Sequence, residues 1–286
     1  MFNPPSLECI SPTATGLSQD TLAFVFEAQS GARPSHLAYA FLAEDLSPAQ
    51  QTSYAELHGE THRLAAWLSA ETRPGDRVLL AFPPGLDFVR VFWACLLSGR
   101  VAVPVPSPDP IRLHHAAPRL RSVIADSRAT LVLTSAALLD AAAAALDPAT
   151  FAMARWAALP DASALEAASP GGFIPPAIEP HSLAYLQYTS GSTSAPRGVR
   201  LSHANVLANV RALIAAGHGN PESRALSWLP HFHDYGLAFG VLAPVVAGAS
   251  GYLMSPLSFL RRPLRWLDAV EKHRITHTGA PDSAFA

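Results

Sequence analysis

An α/β fold, with mostly parallel sheets flanked by helices, is predicted by three features of this sequence. Short continuous apolar runs at 78–82, 101–105 and 130–134 have the length and content of strands buried on both faces. Helical patterns separate these runs, so strand and helix alternate along the chain. With 286 residues, 49% of them hydrophobic, the chain can bury a sizeable core as one large or two smaller lobes.

The elements follow in order. Residues 1–20 read as a tail, and 21–286 as the folded body. Ser53 and Glu56 have the spacing of a capping box, and Leu57, Leu64 and Leu68 then share one face, which predicts a helix over 54–70. Arg73-Pro-Gly-Asp76 ends it. Pro83-Pro-Gly85 turns the first strand into a second helix, 86–97, with Gly99 as its stop. A proline-rich loop reaches Pro110, followed by a helix near 112–126 and an Ala-rich helix over 135–146 whose propensity says little about function. The stretch 160–180, with Pro170-Gly-Gly172 and Pro175-Pro176, reads as a loop-like linker and a sub-lobe boundary.

Beyond it, 183–188 is a strand, 199–201 a return strand, and Ser202 the N-cap of a helix carrying Val206, Val210 and Leu213 on one face. A strand at 225–229, a helix near 263–273 and a strand at 275–278 complete the pattern. The 235–260 stretch carries no charge and is long enough to cross a bilayer. Pro244, Gly248, Gly251 and Pro256 divide it into pieces that suit a buried helix, a turn and a buried strand, so no transmembrane segment is expected.

Charge and cysteine usage exclude several functions. A net charge of −2 with both signs scattered offers no basic field for nucleic acid. Cys9 and Cys95 lie far apart, which suggests neither a disulfide framework nor a zinc ribbon; Cys95, in an apolar helix, reads as a small buried hydrophobe. No secretion signal is visible at the start, so a cytoplasmic protein is expected.

The chemistry concentrates between Tyr188 and Val199. Thr189, Ser190, Ser192, Thr193 and Ser194 supply hydroxyls, Gly191 and Gly198 permit close backbone approach, and Arg197 adds a fixed positive charge. Such a turn suits phosphate oxygens, although a solvated Ser/Thr linker has the same composition. It is neither a Walker A loop, since Val199 stands where Lys-Ser/Thr is required, nor a dinucleotide fingerprint.

A second group is Trp228-Leu-Pro-His-Phe-His233-Asp234-Tyr-Gly-Leu237, in which His231, His233 and Asp234 read either as metal ligands or as a structural histidine turn. Other patterns lead away from chemistry. His58 and His62 are four apart, but Glu60 is one place late for a His-Glu-x-x-His zinc motif, which favours a solvated face. His114 and His115 are expected to point in different directions on a helix, and no Gly-x-Ser-x-Gly elbow gives His233 a serine partner.

The loop resembles the phosphate loop of adenylate-forming enzymes, the acyl-CoA ligases, peptide-synthetase adenylation domains and luciferases. Their pattern is roughly Thr-Ser-Gly-Ser/Thr-Thr-Gly-x-Pro-Lys-Gly, with Ser194 here replacing the usual Gly and Arg197 the usual Lys. The His-Asp-x-Gly-Leu turn, together with the stretches 73–88, 99–105 and 254–267, is similar to the fatty acyl-AMP ligase branch, and the similarity runs from about Thr21 to the end.

This resemblance implies the large N-terminal lobe of an adenylate-forming enzyme that activates a fatty acid with ATP, with Mg²⁺ carried on the ATP phosphates. Thr189, Ser190, Gly191, Ser192, Thr193, Arg197 and Gly198 would grip the phosphates. His233 would border the junction of acyl and nucleotide pockets as the catalytic residue, with Asp234 beside the nucleotide, and 278–282 would wall the acyl pocket. Apolar residues around Phe239 suit either an acyl channel or plain core. The acyl group would pass to a carrier-protein phosphopantetheine thiol. An acyl-CoA ligase, or a non-catalytic nucleotide- or lipid-binding fragment, are the alternatives. Because later family motifs do not occur in the sequence, the chain is expected to be an N-terminal portion that is not a competent ligase alone.

Overall fold

The structure, a computed structural model, describes residues 17–109, 111, 113–168, 171–188 and 196–285. Helix α1 (Leu22–Ala32) starts where the Thr21 hydroxyl accepts the Phe24 N–H at 3.1 Å. Strands β1 (Leu37–Leu42) and β2 (Pro48–Ser53) form an antiparallel pair, and α2 (Tyr54–Glu71) begins at the expected capping box, with both reciprocal Ser53–Glu56 bonds present.

An alternating series follows: β3 (Arg77–Ala81), α3 (Leu86–Leu97), β4 (Val101–Pro104), α4 (Leu113–Ser127), β5 (Leu131–Thr134), α5 (Ala136–Ala145), α6 (Pro148–Phe151), β6 (Arg155–Ala158) and α7 (Ala162–Ala167). Then come β7 (Leu183–Tyr188), β8 (Gly198–Ser202), α8 (His203–Ala216) and β9 (Arg224–Ser227). The uncharged region holds a π-helix (Gly236–Leu242), α9 (Ala243–Ala247) and β10 (Ser250–Leu253), ahead of α10 (Pro256–Arg261), α11 (Leu264–Lys272) and β11 (His277–Thr278).

Two mostly parallel sheets result. The larger has strand order β6-β5-β3-β4-β7-β8 and is parallel except where β7 meets β8; the smaller has order β11-β9-β10-β1-β2 and is parallel except where β1 meets β2. The 160–180 stretch contains α7 and joins β6 to β7, two strands of the same sheet. Helix α3 is apolar nearly all round, and it packs on β3 and β4 from one sheet and on β1 from the other. A helix without a polar stripe must be covered on every side, and the core gathers around it, with Phe26 of α1 stacking on Trp93 at 5.1 Å.

Cys95 lies in this helix fully buried, its thiol pushed up to about 12 by burial, as a small hydrophobe should. Among the described residues no helix is long and apolar enough to cross a membrane. Within 235–260, residues 236–247 form the expected helix and 250–253 the expected buried strand, with Gly248 between them in the left-handed region at φ 68°; the last residues instead begin α10, where Leu257 and Leu260 are exposed.

Two expectations about histidines need correction. His58 and His62 do not occupy a solvated face: α1 lies alongside α2, and both rings turn to the Glu27 carboxylate, at 3.1 and 2.7 Å. His114 and His115 do not diverge either, since rotation about their side-chain bonds brings the exposed rings to 4.0 Å between centroids.

Candidate functional site

The site grows from the ends of two neighbouring parallel strands. Strands β4 and β7 pair in parallel, Ala102 opposite Tyr185, so their carboxyl ends open on the same edge of the sheet, where open α/β sheets place ligands. A cavity of about 400 Å³ lies there. Pro104, Val105 and Pro106 leaving β4 form one side, Leu120 and Val123 of α4 an apolar wall, and Gln187 and Tyr188 at the end of β7 the floor. Phe232, His233 and Asp234 close it from above.

Each polar group at this end has a local reason for its place. Tyr188 is buried, and its Oη donates to Asp126 Oδ2 of α4 at 2.5 Å; burial first, then this carboxylate, hold its phenol above its ordinary pKa, so it stays protonated. Gly198, opposite Tyr188 in the β7–β8 pair, leaves room for that ring, because a Cβ on it would stand 2.9 Å from Tyr188 Cζ. Residues 189–197 connect these two strand ends, and the structure describes Pro196 and Arg197 of them. Thr189, Ser190, Gly191, Ser192, Thr193 and Ser194 therefore lie outside the described residues, while Arg197 is exposed at the foot of β8.

The His231–Asp234 turn is tied to the same strand. Gln187 Nε2 donates to the Phe232 carbonyl at 2.8 Å, and Gln187 Oε1 is buried with no partner among the described residues. The turn closes through His233 N–H donating to the Pro230 carbonyl at 3.0 Å and Leu237 N–H donating to the His233 carbonyl at 2.8 Å. Gly236 permits it: a Cβ there would fall 2.1 Å from the Pro230 carbonyl oxygen. The chain then enters the π-helix, an irregularity often found beside functional sites.

The three polar residues of the turn separate by environment. His231 packs against Phe88 at 4.0 Å between centroids, its Nε2 is buried without a partner among the described residues, and burial lowers its pKa to about 4, so the ring is neutral. His233 and Asp234 face outward, with Nδ1 and Oδ1 2.7 Å apart; Asp234 Oδ1 also accepts the Tyr235 N–H at 2.6 Å. That bond leaves His233 Nε2 as the ring atom for a ligand. The metal reading of this turn fails, because these residues do not converge on a common point among the described residues.

Other expectations fall away from the cavity. Among the described residues, neither 278–282 nor Phe239 lines it. Thr278 instead accepts the Trp266 indole N–H at 2.8 Å, and Phe239 packs near Tyr235 at 5.7 Å. Sequence reasoning missed Gln187, whose amide within the apolar run Leu183–Tyr188 was the available signal, and Arg119, a cation at the cavity with no motif around it.

Comparison with known proteins adds to this geometry. The model of the AMP-binding enzyme family matches residues 26–286. The chain is 35% identical to the medium-chain-fatty-acid acyl-carrier-protein ligase JamA of Moorena producens, an alignment covering 93% of this chain and 45% of that protein. A putative fatty-acid–CoA ligase of Mycobacterium tuberculosis is 33% identical, with 93% and 47% covered. The crystal structure of a fatty acyl-adenylate ligase from L. pneumophila, in complex with acyl adenylate and pyrophosphate, superposes with a TM-score of 0.82 at 34% identity, covering 93% of this chain and 45% of that one. The chain thus spans about half the length of the curated relatives it matches.

Proposed function

The chain belongs to the AMP-binding enzyme family, and from this premise we propose that the protein activates a fatty acid with ATP, forming an acyl adenylate and releasing pyrophosphate, for transfer to a carrier-protein thiol. The observation that carries the proposal is the cavity at the ends of β4 and β7. It has an apolar wall for an acyl chain, and its polar end joins the strand entering the 189–197 segment to the His233–Asp234 turn.

In the first step a carboxylate oxygen bonds to the α-phosphorus while the α–β phosphoanhydride bond breaks and pyrophosphate leaves. The reactants are both anionic, so positioning and charge neutralisation are the main tasks. Thr189, Ser190, Gly191, Ser192, Thr193 and Gly198 hold the β- and γ-phosphates in this reading, with Arg197 as the fixed cation. His233, oriented by Asp234, presents Nε2 to the reacting oxygens at the junction of the acyl and nucleotide spaces. In the second step a thiol sulfur attacks the acyl carbon, the acyl–oxygen bond breaks, AMP leaves, and the thiol proton passes to solvent.

Mg²⁺ is expected with ATP, where it would offset phosphate charge. Among the described residues Asp234 is the carboxylate lining the cavity, and Asp126 is committed to Tyr188. A coenzyme A acceptor is the second reading, favoured by the similarity to the putative fatty-acid–CoA ligase. We propose a cytoplasmic setting and residues 21–286 as the AMP-binding unit.

Fatty-acid-dependent ATP–pyrophosphate exchange by the full-length protein tests the role of the loop. Exchange should fall sharply in Thr193→Ala and Arg197→Ala; normal exchange in both would contradict it. Acyl transfer to a phosphopantetheinylated carrier protein, with little to free coenzyme A, decides the acceptor, and the opposite result favours the second reading.

A further inference from the structure

We propose that Glu27 of α1 and His58 and His62 of α2 form a binding site for a first-row divalent cation such as Zn²⁺, bridging the two helices away from the cavity. His58 and His62 are four apart and share a face of α2. Glu60, which stands between them in the sequence, is turned away and pairs with Arg90 Nε at 2.5 Å. The neighbouring helix supplies the carboxylate instead: His58 Nε2 lies 3.1 Å from Glu27 Oε2, and His62 Nε2 lies 2.7 Å from Glu27 Oε1.

All three ligand atoms lie within 4.8 Å of one another. Zinc bonds to His nitrogen and carboxylate oxygen of about 2.0–2.2 Å set tetrahedral ligand edges of about 3.3–3.6 Å, which side-chain rotations moving the ligand atoms by about an ångström would reach. Two imidazoles and one carboxylate match the ligand set of borderline-soft ions rather than Ca²⁺ or Mg²⁺.

The surroundings hold the ligands while leaving an entrance. The His58 and His62 rings sit 4.1 Å apart; Phe26 stacks on the His58 ring and Phe173 meets the His62 ring edge-on. Side-chain exposure is 14% for Glu27, 21% for His62 and 36% for His58, so an ion can enter beside His58. A water or small anion would complete four-coordination from that side. Because the ligands come from two helices, the ion would clamp α1 to α2. Among the described residues the site shares none with the cavity, so it can fail while the adenylation reading stands.

The test is titration of the metal-free full-length protein with Zn²⁺ alone by calorimetry, and with Co²⁺ alone by visible absorption. One ion per chain, intense four-coordinate Co²⁺ bands and a Zn²⁺-dependent rise in Tm are expected. Affinity should drop about tenfold or more in His62→Gln and in His58→Gln, the latter a half-exposed position where folding is least at risk, and should be unchanged in His114→Gln. No stoichiometric binding, Co²⁺ bands as weak as those of the hydrated ion, or equal affinity in a folded His58→Gln protein would overturn the site.

Discussion

Acidification should loosen α8 from α1 through one imidazole. His203, the first residue of α8, is 1% exposed, and its Nδ1 accepts the Leu22 N–H at 3.2 Å. A protonated ring would lose that acceptor in a site without solvent, and burial accordingly lowers its pKa from 6.5 to about 4. Between those values the unfolded chain binds the proton and the folded chain does not, so stability falls as the pH drops through this window and the loss levels off below about pH 4. The shift corresponds to about 2 kcal/mol lost between pH 7 and 5, and about 3 kcal/mol by pH 4.

Urea unfolding, followed by tryptophan fluorescence at pH 7, 5 and 4, would read this. The comparison is with His203→Asn, whose amide oxygen can accept the same N–H without titrating. The variant should lose less stability on acidification than the wild type by about those amounts, while His231 and the carboxylates contribute equally to both. Identical pH dependence in the two proteins would refute the assignment.

Three substitutions at the site follow from its geometry. Gly198→Ala would press a methyl group against the Tyr188 ring at 2.9 Å and displace its hydroxyl from Asp126; a stability loss of about 1–3 kcal/mol in urea unfolding is expected, with a raised KM for ATP in pyrophosphate exchange. Gly236→Ala would meet the Pro230 carbonyl at 2.1 Å, a backbone atom that cannot rotate away; it should distort the His233 turn and lower exchange by about tenfold or more, since small misplacements of positioned groups are costly. Gln187→Leu would leave the Phe232 carbonyl without its 2.8 Å donor, at a cost of about 1–3 kcal/mol by the same unfolding assay.

Local signals were the legible part of this fold. The Ser53–Glu56 capping box, the apolar runs of β3, β4 and β5, and the stop at Gly99 each depend on residues within a few positions, and the elements appear within a residue or two of their expected bounds. What escaped depends on partners far away. Helix α1 is buried nearly all round, so Leu22 to Phe26 show no amphipathic period. Strand β2, Pro-Ala-Gln-Gln-Thr-Ser, is an edge strand whose side chains are mostly exposed, and its pairing with β1 leaves no apolar alternation to read. The short α7 interrupts a stretch whose prolines and glycines read as loop throughout.

The site divides in the same way. His233 and Asp234 are adjacent in sequence and meet at 2.7 Å. The Tyr188–Asp126 and Gln187–Phe232 bonds span 62 and 45 positions and have no local trace. The pairing of Glu27 with His58 and His62 depends on how α1 lies against α2, which no spacing within α2 encodes.

The central claim is acyl adenylation, and the most direct measurement is mass-spectrometric detection of the product. Full-length protein would be incubated with ATP, Mg²⁺ and a series of fatty acids in the absence of any thiol acceptor. Acyl-AMP and pyrophosphate should appear together in equal amounts, with formation lost in Arg197→Ala and strongly slowed in His233→Ala. ATP binding without acyl-AMP from any fatty acid would contradict the claim and leave a nucleotide-binding protein in its place.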